Sequence, residues 1–202
     1  IRPVILQDII DSSGKNYPTL QFMKKVIRMI FRFAYDNDMI LKDYSRSLDI
    51  SHYKDKNPNK QKKRRLTNEE ISRLWGNCTN KYEHIFLILI YTGVRINELL
   101  TLRKKDVDME KHTFKIVKSK TENGIRTVPI ADKIYPFFEE WMNNCPEGEY
   151  VFADSKLIYI TYDRYCYHYF RKIKEKNEID NFTLHCCRHT FISMMTEKGI
   201  NP

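Results

Sequence analysis

The sequence predicts a mainly α-helical protein with a small antiparallel β-sheet, an α+β fold built in two parts. Three observations support this prediction. Apolar residues recur at helical spacing over residues 19–39, which is typical of an amphipathic helix. Residues 82–92 are apolar nearly all round, as in a central, buried helix. Two segments of alternating character, residues 113–118 and 125–130, are joined through an Asn-Gly pair, which favours a β-hairpin.

Composition places the chain among globular proteins. The 202 residues are 42% apolar, enough to bury a core in one large and one small domain. No apolar run is long enough to span a bilayer and no signal-peptide pattern begins the sequence, so we expect a cytoplasmic protein. Five cysteines without Cys-x-x-Cys spacing argue against a disulfide framework and agree with a reducing compartment.

The formal charge of +9 is unevenly distributed. Residues 1–65 carry a net charge of +8, whereas residues 66–202 carry +1. A basic front half indicates a polyanionic partner, with nucleic acid ahead of a membrane surface. A lysine-rich, solubilising surface explains the same charge without a partner.

The first helix, over residues 19–39, has a basic face. Lys24, Lys25 and Arg28 alternate there with the apolar residues of the buried stripe. We predict that these three side chains contact the phosphates of a nucleic acid, although for any single lysine a solvated face is the simpler interpretation.

Residues 54–65 are predicted to form a basic linker between two domains. The segment has no apolar period and contains one proline and seven positive charges. Like charges extend such a strand and would let it follow a phosphate backbone. The predicted phosphate contacts are Lys62, Lys63, Arg64 and Arg65. A nuclear-localisation signal is an alternative that nothing else in the sequence supports.

The second part begins with a capping box, in which Thr67 accepts from the amide of Glu70 and Glu70 reaches back. Gly93 is predicted to end the central helix in the left-handed conformation, and Arg95 begins the next helix. Thr183 is a candidate N-cap for the last helix. Further helical patterns cover residues 132–144, 161–176 and 183–198.

Arg95, His185 and Arg188 together predict a phosphate site. Two guanidiniums match phosphate oxygens with planar forks of donors, and an imidazole adds a further donor. A zinc site is the alternative near His185, but the neighbouring Cys186 and Cys187 point to different faces of a helix. We therefore predict no metal and no cofactor.

Three segments resemble the tyrosine recombinases, the phage and transposon integrase family. Tyr91–Leu100 resembles that family's first catalytic box, Lys120–Ile130 its catalytic-lysine hairpin, and His185–Phe191 its His-x-x-Arg box. Gly199–Pro202 resembles the start of the following turn. The resemblance covers roughly residues 66–202, and the order of the boxes argues against chance agreement.

The resemblance implies a fold and a division into domains. The fold is that of the DNA breaking-rejoining enzymes. Residues 1–53 would be part of a helical core-binding domain that binds DNA, residues 54–65 the basic linker, and residues 66–202 a catalytic domain that is truncated at its C-terminus.

The resemblance also implies a reaction without a metal. In this family a tyrosine attacks a DNA phosphodiester, leaving a 3′-phosphotyrosyl bond and a free 5′-hydroxyl. Arg95 and Arg188 would hold the phosphate oxygens, and His185 would donate a hydrogen bond or move a proton. Lys120 would protonate the leaving oxygen, with Lys118 as the alternative. Glu98 would orient the Arg95 guanidinium, and His189 would either support the site or only pack in the fold.

One departure from the family pattern changes the expectation for this sequence. The family continues after the position of Pro202 with a His or Trp box and the nucleophilic tyrosine, whereas the tyrosines at 159–169 precede the His-x-x-Arg box. We therefore expect a fragment of an integrase of a mobile element, one that binds double-stranded DNA without cleaving it.

Two alternative hypotheses for the function are a non-catalytic repressor or architectural protein, and an enzyme resembling type IB topoisomerases. The full-length family works as tetramers on DNA, which implies self-association and a place on the bacterial nucleoid, with no membrane partner. The DNA target, the direction of recombination and the host element are not specified by the sequence.

Overall fold

The structure is a computed structural model that describes residues 2–56, 64–118, 124–144, 147–154 and 158–200. The chain divides into two compact units, Ile1–Lys60 and Gln61–Pro202. The fold class predicted from the sequence is confirmed, since the described residues are mostly helical and contain one small antiparallel sheet.

The first unit contains helices α1 (Pro3–Ser12) and α2 (Tyr17–Asp36), followed by a 3₁₀ turn (Tyr44–Ser47). Helix α2 confirms the amphipathic helix predicted over residues 19–39, although it begins earlier because the Asn16 side chain accepts from the Tyr17 amide at 2.9 Å. The core of this unit is small and comes from both helices and from the chain after the 3₁₀ turn. Its buried apolar residues are Leu6, Ile10, Leu20, Leu48 and Ile50.

The second unit contains the remaining helices and the sheet. In chain order its elements are α3 (Asn68–Gly76), α4 (Lys81–Thr92), α5 (Ile96–Leu100), β1 (Val107–Asp108), β2 (Thr113–Ile116), β3 (Arg126–Pro129), α6 (Tyr135–Asn144), α7 (Tyr162–Tyr165), α8 (Arg171–Lys176) and α9 (Leu184–Glu197). Short 3₁₀ turns at Lys104–Asp106 and Asp132–Ile134 precede β1 and α6.

Helix α4 is the centre of the second unit, as its all-apolar sequence predicts. Every residue from Ile85 to Ile90 is at most 1% exposed. Helices α9 and α6 pack against it. Helix α4 ends at Gly93, whose φ of 63° is the left-handed conformation predicted for this position. The chain therefore turns sharply at Gly93, and Arg95 lies at the surface just beyond the turn.

The sheet has the strand order β1-β2-β3, with antiparallel neighbours. The β2–β3 hairpin predicted from the two alternating segments is present, with Phe114 opposite Val128 and Ile116 opposite Arg126. Residues 119–123, which include the predicted turn and Lys120, lie outside the described residues. Strand β1 was not predicted, because a strand of two residues has no measurable alternation.

The helix predicted over residues 161–176 is present, but it is not regular. A π-helical turn at Cys166–Phe170 joins α7 to α8. Thr183 occupies the N-cap position of α9 as predicted, yet its hydroxyl lies 3.2 Å from Cys186 Sγ and caps no backbone amide. Along the described part of the chain, no helix is both long and apolar enough to cross a membrane.

Candidate active site

The turn between α4 and α5 meets helix α9 at Gly93. A Cβ atom at this position would collide with the Phe191 ring, for example at 2.7 Å from Cγ, so only glycine allows this approach. The carbonyl oxygen of Gly93 accepts a hydrogen bond of 2.7 Å from Arg188 Nη1. The structure thus brings together the two distant segments that the sequence analysis singled out.

Arg95, His185 and Arg188 line one cleft of about 680 Å³, together with Glu98 and Lys118. Arg95 is the N-cap residue of α5, and its side chain is 48% exposed. His185 and Arg188 lie one turn apart on α9, with His185 exposed and Arg188 half-buried. The cleft is open to solvent and large enough to admit a phosphate group with its flanking sugars.

Glu98 holds Arg95 from below the cleft. One carboxylate oxygen accepts from Arg95 Nη1 at 2.7 Å, and the other accepts from the Arg95 amide at 3.1 Å. Only 7% of the Glu98 side chain is exposed. Burial raises the pKa of Glu98, but hydrogen bonds from Arg126 and Arg95 outweigh burial and leave the pKa below its ordinary value. The carboxylate is therefore charged at neutral pH and orients the Arg95 guanidinium.

Arg188 lies in a field of positive charge. Burial lowers the pKa of Arg188, and the nearby charges of Arg126 and Arg95 lower it further. Arginine stays protonated despite such a shift, so Arg188 keeps its positive charge beside those of Arg95 and Arg126. An anion with two or more acceptor oxygens, such as a phosphate, would accept hydrogen bonds from these guanidiniums and reduce their mutual repulsion.

The two histidines of the predicted box lie against each other. The rings of His185 and His189 meet edge to face, with centroids 5.1 Å apart. His189 Nε2 is buried and has no hydrogen-bond partner among the described residues. His189 thus packs behind His185 and limits the orientations of its ring. In the described ranges, no three His, Cys, Asp or Glu side chains are grouped as metal ligands.

Of the two hairpin lysines, the described residues include Lys118. Lys118 is exposed and lines the cleft. Lys120 lies outside the described residues, as do Lys62 and Lys63 of the predicted linker.

The basic residues predicted on the first helix share one groove. Lys24, Lys25 and Arg28 line a groove of about 580 Å³ along α2, and Arg32 extends it. The groove belongs to the first unit alone. The regular helix places these cations along one groove that Tyr17 also lines, which suits contact with a polyanion. Arg32 also forms an exposed ion pair with Asp36.

Arg64 is engaged within the second unit. Its Nη1 and Nη2 atoms each lie 2.8 Å from one Glu70 carboxylate oxygen, and its Nε and Nη2 donate to the Asp180 carbonyl at 2.9 and 2.6 Å. The phosphate contact predicted for Arg64 would require these bonds to break. Arg65 is paired with Glu197 in an exposed ion pair.

The family model described as the phage integrase family matches residues 64–202, which contain every side chain of the cleft. The chain belongs to the phage integrase family. Tyrosine recombinase XerA of Pyrococcus horikoshii is 28% identical over 203 residues, which cover 94% of this chain and 64% of that protein. The transposase of transposon Tn916 from Enterococcus faecalis is 25% identical over 225 residues and is covered to 54%.

The solved structure of the Tn1549 transposon integrase, in complex with transposon right end DNA, superposes with a TM-score of 0.79 at 22% identity, covering 100% of this chain and 75% of that one. At this identity the similarity shows the fold. This integrase-family chain spans 64% of the length of the XerA recombinase and 54% of the length of the Tn916 transposase.

The sequence analysis assigned no role to Arg126, beside the integrase-family cleft, or to Tyr162, which lines it. Arg126 reaches it from β3 through Glu98, with Nη2 at 2.9 Å from the Glu98 carboxylate. Tyr162 lines it from α7. The hairpin register and the packing of α7 against α5 place these side chains, and neither leaves a signal in local sequence beyond the Arg-x-Val-Pro pattern itself.

Proposed function

We propose that this chain is part of a site-specific DNA recombinase that cuts and rejoins DNA through a 3′-phosphotyrosyl intermediate. The observation that carries the proposal is the cleft in which Arg95, His185 and Arg188 converge. Its position in a member of the phage integrase family supports the same conclusion. The names of the relatives, a recombinase and a transposase, favour DNA integration by a mobile element.

The cleft fits the charge changes of phosphodiester exchange. A phenolic oxygen attacks phosphorus, the bond from phosphorus to the 5′-oxygen breaks, and that oxygen takes a proton. Negative charge builds on the two non-bridging oxygens, where Arg95 and Arg188 would stabilise it. Losing one such donor costs about 2.7–4 kcal/mol of transition-state stabilisation in the best-studied oxyanion site. His185 would donate to the same phosphate.

We propose that a hairpin lysine protonates the leaving 5′-oxygen. Lys118 supports this role by position, because it lines the cleft, whereas Lys120 has the family's motif position. Comparing Lys118→Met with Lys120→Met in a cleavage-competent integrase would separate them. A sulfur atom in place of the leaving oxygen needs no proton to leave. The lysine whose replacement is rescued by this sulfur substrate is therefore the acid.

We propose further that the 202-residue chain binds duplex DNA without joining to it. Tyr162 is the described tyrosine that lines the cleft. A hydrogen bond to Cys166, together with burial, raises the pKa of Tyr162, which disfavours the phenolate that would attack. An adduct that survives detergent and disappears in Tyr162→Phe would contradict this proposal and make Tyr162 the nucleophile.

The proposed phosphate contact can be tested on this chain. Bound duplexes are selected from a random-sequence pool, and phosphates whose ethylation weakens binding are mapped for the unsubstituted chain and for Arg188→Ala. We expect Arg188→Ala to weaken binding roughly tenfold to a hundredfold, and to lose the interference at one phosphate only, because that phosphate no longer has its partner. Arg103→Ala, which removes a surface guanidinium paired with Glu149, is the matched control.

Two outcomes decide against the proposal. Interference maps that are identical for the unsubstituted chain and Arg188→Ala would show that the cleft holds no DNA phosphate. A chain that selects no duplex would contradict DNA binding itself.

The division predicted from the sequence completes the proposal. Residues 1–53 would bind DNA as part of a core-binding domain, residues 54–65 would link that domain to the next, and residues 66–202 would supply the catalytic cleft.

We propose that the protein self-associates on double-stranded DNA in the bacterial cytoplasm, at the nucleoid. Sedimentation of the chain with and without its selected duplex measures this, and a tetramer on DNA is expected for the family.

A further inference from the structure

Arg126 has an unusual position between the hairpin and the cleft. Its guanidinium donates from Nη2 to a Glu98 carboxylate oxygen at 2.9 Å and from Nη1 to the Gly124 carbonyl at 2.7 Å. Its side chain is 27% exposed, against 48% for Arg95. Arg126 therefore joins the end of the hairpin to the carboxylate beneath the cleft, and does so with both arms of its fork.

The Glu98 carboxylate is shared between two arginines. The oxygen that receives Arg126 also receives the Arg95 amide, which leaves the other oxygen for Arg95 Nη1. A carboxylate that is held at one oxygen by two donors cannot rotate freely about its last side-chain bond. The direction of the Arg95 guanidinium thus depends on the hydrogen bond between Arg126 and Glu98.

Arg126 also sets the charge of the site. Three guanidiniums, Arg95, Arg126 and Arg188, surround the single carboxylate of Glu98. With Arg126 the four side chains carry a surplus of two positive charges, and without it the surplus is one. Because the site is partly shielded from water, each charge acts more strongly on its neighbours than it would in bulk solvent.

We propose that Arg126 is a positioning residue of the phosphate site: by holding Glu98 it fixes the Arg95 guanidinium, and its charge strengthens the attraction for the phosphate. This inference rests on the proposed function of the cleft. The competing explanation is that Arg126 only fastens the hairpin through Gly124. Such a fastening would affect stability but would leave Arg95, Glu98 and anion binding unchanged in the folded protein.

The test compares Arg126→Met with the unsubstituted chain, using inorganic phosphate as the probe. Nitrogen-labelled arginine reports Arg95 and Arg188 by NMR, and carbon-labelled glutamate reports the titration of Glu98. We expect Arg126→Met to weaken phosphate binding about fivefold to tenfold, to shift the Arg95 Nε–H signal and to raise the pH at which Glu98 titrates. Arg103→Met, at a surface ion pair with Glu149, should change none of these.

Arg126→Lys separates charge from geometry. A lysine keeps the charge but lacks the planar fork, so we expect phosphate affinity to recover in large part while the Arg95 signal stays displaced. If Arg126→Met does not fold, Arg126→Lys provides the test. A folded Arg126→Lys protein with an unchanged Arg95 signal and unchanged Glu98 titration overturns the proposal.

The outcomes also separate this inference from the proposed function. Phosphate binding by the unsubstituted chain with no change in Arg126→Met overturns the positioning role alone. An unsubstituted chain that binds no phosphate overturns both. A changed hairpin stability with unaltered Arg95 and Glu98 signals identifies Arg126 as a structural fastening and overturns the positioning role.

Discussion

The carboxylate of Glu98 shows how a single residue can organise the cleft. It is almost completely buried, yet hydrogen bonds from Arg126 and Arg95 keep it charged. Removing the charge would leave two arginines without their shared partner, which costs more than the loss of an exposed ion pair. The consequences can be measured in the stability of the second unit and in its dependence on pH.

We predict that Glu98→Gln lowers the free energy of unfolding by roughly 1.5–3 kcal/mol at pH 7. The lowered pKa means that this stabilisation is complete above the ordinary value of 4.5 and disappears as the pH falls through the folded-state pKa. Urea unfolding from pH 7 to pH 3 measures the difference between the two proteins, which should shrink on acidification.

The matched control for this prediction is Glu149→Gln, which removes a 55%-exposed partner of Arg103. It should cost at most about 1 kcal/mol. A Glu98→Gln effect that equals the control, or that grows at low pH, would contradict the assigned role of the carboxylate.

Gly93 is a second residue whose role can be tested alone. Gly93→Ala places a Cβ against the Phe191 ring in a left-handed conformation. The conformation costs about 1–2 kcal/mol and the collision about 1–3 kcal/mol more. Gly14→Ala is the control, because Gly14 has a φ of 60° with open space around it and should show only the smaller cost. Equal losses of thermal stability in the two variants would contradict the close approach of Phe191.

The residues that sequence alone could identify are those fixed by local motifs. Arg95 follows the glycine that must end α4, and His185 and Arg188 have the spacing of one helical turn. Arg126 could not be assigned to the site, because its contact with Glu98 depends on the register of β2 and β3. Tyr162 could not be assigned either, since its position follows from the packing of α7 against α5.

At the scale of elements, the start of α3 is where prediction and structure differ most usefully. The capping box of Thr67 and Glu70 is present as predicted. The sequence analysis placed Arg64 in an extended basic strand, whereas its guanidinium binds Glu70 and the Asp180 carbonyl. Charge composition alone cannot distinguish a solvated cation from one engaged in an ion pair, so the sequence could not predict these contacts of Arg64.

We predict that Arg64→Met lowers the free energy of unfolding by about 1.5–3 kcal/mol, because it leaves the buried Glu70 carboxylate with fewer donors. The salt dependence of DNA binding should stay unchanged. Arg65→Met, which removes an exposed pair with Glu197, should cost under about 1 kcal/mol. If instead Arg64→Met lowers the salt slope by about 0.9, Arg64 contacts a phosphate as the sequence first indicated.

The remaining elements divide by the strength of their local pattern. Helix α4 was predictable because its apolar residues extend around the whole helix, and the β2–β3 hairpin because its strands alternate. The π-helical turn at Cys166–Phe170 has no such pattern. It fits one extra residue into a helix whose two halves pack against different neighbours, so it depends on tertiary structure.

At the scale of the whole molecule, the uneven charge is the property with the widest consequence. The first 65 residues hold a net charge of +8, and the first unit presents Lys24, Lys25 and Arg28 along one groove. If the groove follows a DNA backbone, these three cations should account for a large part of the affinity and of its salt dependence. The cleft would then contact one phosphate, and it would add less to the salt dependence of binding than the groove does.

We predict that replacing Lys24, Lys25 and Arg28 together by glutamine lowers the slope of log affinity against log salt by about 2.7, since each phosphate contact contributes about 0.9. Fluorescence anisotropy with a labelled duplex between 50 and 300 mM salt, an experimental range of about sixfold, measures the slope. The same charge change at Arg171, Lys172 and Lys174 of α8 is the control. Equal slopes for the two triple variants would contradict a DNA-binding groove on α2.

The hydrogen bond between the Gly93 carbonyl and Arg188 affects how the protein tolerates insertions and deletions. The two halves of the cleft are tied to each other directly, at the contact of α4 with α9, and not through the ninety or so residues between them. Insertions or deletions in surface loops between α5 and α9 would therefore leave the spacing of Arg95 and Arg188 intact. Such loops are the places where the chain can gain or lose residues while the cleft keeps its geometry.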